Sequence, residues 1–131
     1  MDYSYIGDKP GEPQITCLNF VNVMSGLALS VAVPFKSRSV HAQAELRRFV
    51  LETGRIFGIL QADPEPSLKQ LAQIVTVRGL SYRSSPTGWK QAQGSVGNMQ
   101  ATLYAQIGTL IANVKSRYKD VEISVHNPLY P

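Results

Sequence analysis

Up to Pro34 the hydrophobic pattern of this chain is typical of strands alone, and helical patterns begin only after it, which restricts the folds the chain can adopt. Before Pro34, residues 2–6, 15–23 and 27–33 are rich in aromatic and β-branched residues, which is typical of strands. The short segment 24–26 has the character of a hairpin turn. We therefore expect the fold to begin with three antiparallel strands.

After the break, helical and strand patterns alternate. Ser37 or Ser39 can cap a first helix, and Gly54 can end it. The almost continuous apolar run 55–62 has the length of a strand, and a run without polar alternation predicts a strand that is covered on both faces. We expect this strand to lie in the interior of the sheet.

The remaining pattern predicts a helix, a fifth strand and a long final helix. Residues 64–75 place their apolar side chains on one helical face, and residues 80–84 have strand character. A polar loop over 85–95 follows. Apolar residues then recur in steps of three and four as far as about Tyr118, which predicts an amphipathic helix with a core-facing stripe: Val96, Met99, Leu103, Ile107, Leu110 and Val114.

This order predicts an α/β fold with a mixed five-stranded sheet, in which three antiparallel strands precede alternating helices and strands, with the helices flanking the sheet. With 131 residues, of which 44% are hydrophobic, the chain is long enough for one core. We expect one domain over 1–131. The ending in prolines without a closing element indicates a piece of a longer polyprotein.

Composition excludes several function classes. Cys17 is the single cysteine, and His41 and His126 are the two histidines, so we expect no zinc site. The apolar stretch 26–35 is too short to cross a bilayer, and the first residues do not have the pattern of a signal peptide. We expect an intracellular protein, nuclear or cytoplasmic, that is not bound to a membrane. The net charge of +4 is compatible with a polyanionic partner.

Two aspartates stand where an α/β sheet can form a site. Asp2 lies in the first predicted strand, and Asp63 ends the fourth. Strand ends combine a rigid backbone with a side chain that can reach a ligand. Each residue also has an ordinary structural interpretation: Asp63 could cap the helix that follows it, and Asp2 could be an acid of a frayed terminus.

The order of these segments resembles a known family. Asp2 in MDYSYI, the strand pair CLNFVNVMSGLALSVAVPFK, the segment RRFVLETGRIFGILQADPEP and the stretch LSYRSSPTGWKQAQGSVGNMQATL follow one another over nearly the whole chain. Together they resemble the ribonuclease H-like catalytic core of retroviral and retrotransposon integrases. The resemblance implies a ribonuclease H-like fold and a role in DNA integration.

The resemblance also implies a metal-dependent chemistry. In such integrases two Mg²⁺ or Mn²⁺ ions held by acidic residues clamp the attacking and leaving oxygens of a phosphodiester. Asp2 and Asp63 match the first two catalytic and metal-binding acids of the family. The third acid, a glutamate after Gln-Gly-x-Val, is replaced by Gly97 in QGSVG. Glu65 is a remote candidate for a substitute ligand, although a glutamate in a first helical turn is ordinary.

Residues of a predicted DNA surface lie between Asp63 and the long helix. By resemblance, phosphate contacts, base stacking and polar contacts are expected from Arg83, Trp89, Lys90, Gln93 and Asn98. Binding should be largely independent of DNA sequence and sensitive to salt. The alternative is an ordinary solvated surface with helix-capping polar residues.

Three functions remain open from the sequence. The first is a catalytically degenerate integrase-core-like domain of a retroelement that binds DNA, with a homo-oligomer as a further expectation. The second is an active magnesium-dependent polynucleotidyl transferase or nuclease. The third is a small non-catalytic α/β interaction domain unrelated to integrases. Gly97 favours the first over the second, because glycine has no side chain that could bind a metal ion.

Overall fold

A computed structural model describes residues 1–7, 11, 13–54, 57–76, 79–86 and 94–120. Within these residues, the predicted order of strands and helices is confirmed. Their bounds are β1 Asp2–Ile6, β2 Ile15–Val21, β3 Ala28–Val33, α1 Val40–Glu52, β4 Gly58–Ala62, α2 Pro66–Thr76, β5 Leu80–Ser84 and α3 Gly94–Arg117.

The first three strands form an antiparallel sheet in the order β1-β2-β3. Its register sets Asp2 opposite Asn19 and Asn19 opposite Ser30. The β2–β3 turn closes through a hydrogen bond from the Asn22 amide to the Leu27 carbonyl, at 2.8 Å. Gly26 in this turn has a φ of 71°, a left-handed conformation that glycine adopts without strain.

The two remaining strands form a separate parallel pair, β4-β5, so the predicted continuous five-stranded sheet is corrected to a three-stranded and a two-stranded sheet. The main-chain nitrogen of Met1, directly before β1, donates a hydrogen bond to the Gln61 carbonyl of β4, at 2.9 Å. A groove of about 250 Å³ opens between the end of β2 and the beginning of β4. Within the described residues, the two sheets therefore share no strand ladder.

This gap also corrects the prediction that strand 55–62 is covered on both faces. The strand is shorter, Gly58–Ala62, and residues 55–56 lie outside the described part of the chain. Ala62 is fully buried, but Ile59 is 61% exposed. An apolar run alone does not distinguish a strand inside a sheet from one beside an open groove.

A single apolar cluster connects both sheets with α1 and α2. Alternate residues of β1 and β2 point into it, because side chains along a strand alternate between faces. The rings of Phe20 and Phe49 stack with centroids 5.3 Å apart. The buried members of the cluster are Met1, Tyr3, Leu18, Phe20, Val33, Ala42, Leu46, Phe49, Ala62, Leu68, Leu71, Ala72 and Val75.

Helix α1 begins and ends as the sequence predicts. The hydroxyl of Ser39, one of the two predicted caps, accepts a hydrogen bond from the Ala42 amide at 3.0 Å. Gly54 follows the helix with a φ of 62° and donates to the Leu51 carbonyl. Between these two ends, the buried face of α1 packs against β2 and β3.

Helix α3 packs on the other face of the three-stranded sheet, over β1 and β2. Its 24 residues extend for about 36 Å. Val96 near its beginning is buried, whereas Leu110 is 57% exposed. The predicted core stripe of this helix is therefore buried only near the helix start. None of the helices in the described ranges is long and apolar enough to cross a membrane.

Candidate functional site

Asp2 lies on the sheet face that α3 covers, and its carboxylate is half-buried there. Its Oδ1 accepts a hydrogen bond from the Tyr3 amide at 2.7 Å, and its Oδ2 lies 3.5 Å from Nε2 of Gln100. Burial raises the pKa of the Asp2 carboxyl above its ordinary value, and the negative charge of Asp63 raises it further. The hydrogen bonds from Tyr3 and Gln100 act in the opposite direction.

The structure brings Asp63 close enough to Asp2 for their charges to interact. Asp63 follows directly after β4, and the Met1–Gln61 hydrogen bond sets the start of β1 beside the end of β4. Burial lowers the pKa of the Met1 amino group to about 6, although the charges of Asp2 and Asp63 oppose this shift. The charges of both carboxylates therefore act on the region where β1 begins and β4 ends.

Glu65 does not join these two aspartates. It directly precedes α2, and its carbonyl accepts the first helical hydrogen bond, from the Lys69 amide at 3.0 Å. Its carboxylate forms an ion pair with Lys36, at 2.9 Å, and this contact raises the pKa of Lys36. Glu65, and not Asp63, thus occupies the position next to the helix where a capping residue is expected.

The third position of the site lies near the beginning of α3. Gly97 is exposed, and a Cβ atom added to it would meet no atom within 4 Å. Gln100, one turn further along, is the residue whose side chain reaches Asp2. Sequence reasoning did not single out Gln100, although its spacing of three from Gly97 puts both on one side of the helix.

The donor set does not fit a pair of metal ions. No three His, Cys, Asp or Glu side chains of the described residues lie together in a way that could hold a metal ion. Two carboxylates can hold one Mg²⁺ ion together with water and phosphate oxygens, but Gly97 stands where a third acid would supply oxygens for a second ion. The amide nitrogen of Gln100 faces Asp2, so this contact supplies a hydrogen-bond donor where a metal ligand would need an oxygen.

A buried polar chain lies beside Asp2 beneath α3. Nδ2 of Asn19 donates to Oγ of Ser4 at 2.8 Å, and Oγ of Ser30 donates to Oδ1 of Asn19 at 2.7 Å. Asn19 is fully buried. These bonds tie the three strands together on the face that carries Asp2, and sequence reasoning did not predict them. The signal in β2 was Asn19 itself, a polar residue between apolar Leu18 and Phe20.

Of the predicted DNA-contacting residues, the structure describes Arg83 and Asn98. Trp89, Lys90 and Gln93 lie outside the described residues. Arg83 is exposed on β5, and its Nη2 donates to Oε1 of Gln61 on β4. Asn98 is exposed on the first turns of α3.

No protein-family model and no curated protein matches this sequence. Among solved structures, the chain is similar to one in the cryo-electron microscopy structure of the simian T-cell lymphotropic virus intasome in complex with PP2A regulatory subunit B56 gamma. The TM-score is 0.65 at 14% sequence identity, and the match covers 93% of this chain. This chain spans 42% of the length of the matched chain. At this identity the likeness concerns the fold.

Proposed function

We propose that this chain is an integrase-core-like domain of a retroelement that binds DNA through its phosphates and does not catalyse strand transfer by itself. The observation that carries the proposal is the electrostatic interaction between Asp2 and Asp63, where β1 begins and β4 ends, on a fold similar to that of a retroviral intasome chain. The helix that passes this point offers Gly97 and the amide of Gln100 instead of a third acid. Carboxylate pairing thus supports descent from a catalytic core, and the missing acid supports loss of turnover.

DNA binding is proposed from charge as well as from fold. The chain has 13 Lys and Arg against 9 Asp and Glu, and Arg83 is exposed two residues before Ser85, at the same end of the strands as Asp63. Because phosphate contacts dominate sequence-independent binding, affinity should fall steeply with salt. We expect the chain to form a homo-oligomer. Sedimentation with and without DNA would measure its oligomeric state.

The test uses the whole chain in fluorescence anisotropy with labelled duplexes of two unrelated sequences. The expected result is similar affinity for both duplexes and a negative linear dependence of log K on log salt. Arg83→Ala should reduce the magnitude of that slope by about 1. Arg47→Ala, which removes an exposed arginine of α1, is the matched control. Absence of salt-dependent binding would contradict the proposal and favour a non-catalytic interaction domain.

A second candidate is a magnesium-dependent polynucleotidyl transferase, which the closeness of Asp2 and Asp63 favours. We expect no nicking or strand transfer with Mg²⁺ or Mn²⁺ above that of the Asp63→Asn variant. Nicking that depends on the metal and is abolished in Asp63→Asn would replace the non-catalytic proposal with this one.

A further inference from the structure

Gln61 and Arg83 form a pair across the two parallel strands. They are direct partners in the β4–β5 register, and Nη2 of Arg83 donates to Oε1 of Gln61. The other end of the same amide, Nε2 of Gln61, donates to Oγ of Ser85 at 3.1 Å. Gln61 therefore links an exposed guanidinium to a buried serine.

The serine end of this link is fixed. Ser85 is only 4% exposed, and its amide donates to the Ala62 carbonyl at 2.8 Å. Because both ends of the Gln61 amide are engaged, its rotation would break two hydrogen bonds at once. The amide is thus well placed to restrict a long arginine side chain, which otherwise loses much rotamer entropy on binding a ligand.

The chemistry of Gln61 leaves the charge of Arg83 available. A glutamine oxygen accepts a hydrogen bond without neutralising the guanidinium, whereas a carboxylate would form an ion pair with it. Among the described residues, the ion pairs within 4 Å involve Lys36 and Arg48 and none involves Arg83. A held but uncompensated guanidinium is suited to phosphate, which it can bind through two parallel hydrogen bonds.

The location of the pair connects it with the carboxylates. Asp63 follows β4 directly and lies two residues after Gln61, so both residues stand at the same end of this strand. A polyanion that approaches Asp2 and Asp63 meets two negative charges, and a cation at the same strand end offsets part of that repulsion.

From these contacts we infer that Gln61 is a positioning residue that orients Arg83 for contact with a phosphodiester of a nucleic acid. Gln61 acts through Arg83 and need not touch the nucleic acid itself. This inference rests on the proposed DNA binding, and it adds a residue that the charge pattern alone does not reveal.

A double-mutant cycle tests the inference by anisotropy with a labelled DNA duplex. Arg83→Ala should weaken DNA affinity by about tenfold, and Gln61→Leu should weaken it somewhat less. The double variant should bind no more weakly than Arg83→Ala alone, because Gln61 has nothing left to orient. Gln61→Glu should also weaken binding, since the new carboxylate neutralises the guanidinium. Gln73→Leu, at an exposed site on α2, is the matched control and should bind normally.

A loss of affinity from Gln61→Leu that persists in full in the Arg83→Ala background would overturn the inference and leave DNA binding intact. A measurement without DNA separates the two proposals further. In ¹⁵N spectra of the arginine side chains, Arg83 should show more restricted motion than exposed Arg47. This difference should disappear in Gln61→Leu. Equal motion of the two arginines in the unaltered protein would overturn the positioning role. If the unaltered protein does not bind DNA, the proposed function fails, and the phosphate role of Arg83 fails with it.

Discussion

The two faces of the β1–β2–β3 sheet are built from alternate residues of the same strands, yet one face carries apolar side chains and the other carries polar and acidic ones. The face toward α1 and α2 is apolar, with Leu18 and Phe20 fully buried. The face beneath α3 carries Asp2, the Asn19 hydrogen-bond chain and an open groove over β3. The first face supplies most of the burial that stabilises the fold, and the second presents Asp2 at the edge where β1 begins beside β4.

The largest expected effect is on the apolar face. Phe20→Ala removes a fully buried ring that stacks on Phe49, so it should lower the free energy of unfolding by about 3–5 kcal/mol. Urea unfolding followed by circular dichroism measures this loss. Phe35→Ala, at a side chain that is 63% exposed, should change it by no more than about 0.5 kcal/mol. Similar losses in the two variants would mean that the apolar face is not the main core.

On the polar face, Asn19→Ala should lower the free energy of unfolding by about 2 kcal/mol, because it removes two side-chain hydrogen bonds and leaves the buried Ser4 and half-buried Ser30 hydroxyls without these partners. The same urea titration measures this change, with exposed Asn113→Ala on α3 as the control. Adding Ser30→Ala to Asn19→Ala should cost less than the sum of the single changes, since the two side chains share one bond. Additive losses would contradict the role of Asn19 as the centre of the chain.

The sequence predicted the order of elements well because the hydrophobic period follows which face of each element is buried. Strand-like alternation placed β1 to β3, and Ser39 and Gly54 marked the ends of α1. The gap between the two sheets was not predictable in this way. Whether β1 and β4 form a ladder depends on long-range register, and periodicity carries no information about it.

For the candidate site, the sequence indicated some residues and missed others. Strand ends indicated Asp2 and Asp63, and the structure brings their charges into interaction. Gln100 and Gln61 were missed because the residues they contact, Asp2 and Arg83, lie far from them in the sequence. The nearest signals were the spacing of three residues between Gly97 and Gln100 along α3 and the place of Gln61 two residues before Asp63.

A third acid beside Asp2 would sharpen the difference between the two faces. Gln100→Glu should lower the free energy of unfolding by about 1 kcal/mol without metal, because a further carboxylate joins Asp2 and Asp63. Added Mn²⁺ should then raise the Tm of this variant more than that of the unaltered protein. Differential scanning fluorimetry across a Mn²⁺ titration measures both effects.

Two variants on the same helix control this prediction. Gly97→Glu has open space for its side chain and lies one turn before Gln100, so it should also gain a response to Mn²⁺. Gln106→Glu adds the same charge at an exposed position further along α3 and should not. An equal response from Gln100→Glu and Gln106→Glu would show that the gain comes from net charge and not from closeness to Asp2.

The smallest expected effect is the change in the free energy of unfolding when the ionised, half-buried Asp2 carboxylate is replaced by a neutral amide. Its folded-state pKa is raised, chiefly by burial, so the folded protein holds this proton more tightly than the unfolded chain. The resulting stabilisation is complete below the ordinary pKa of 3.8 and is lost as the pH rises through the folded-state pKa. At pH 7, Asp2→Asn should therefore raise the free energy of unfolding slightly, by up to about 0.5 kcal/mol, and the gain should shrink toward about pH 3. Urea titrations at both pH values measure it, and a gain that grows on acidification would contradict the raised pKa and with it the burial of Asp2 beside Asp63.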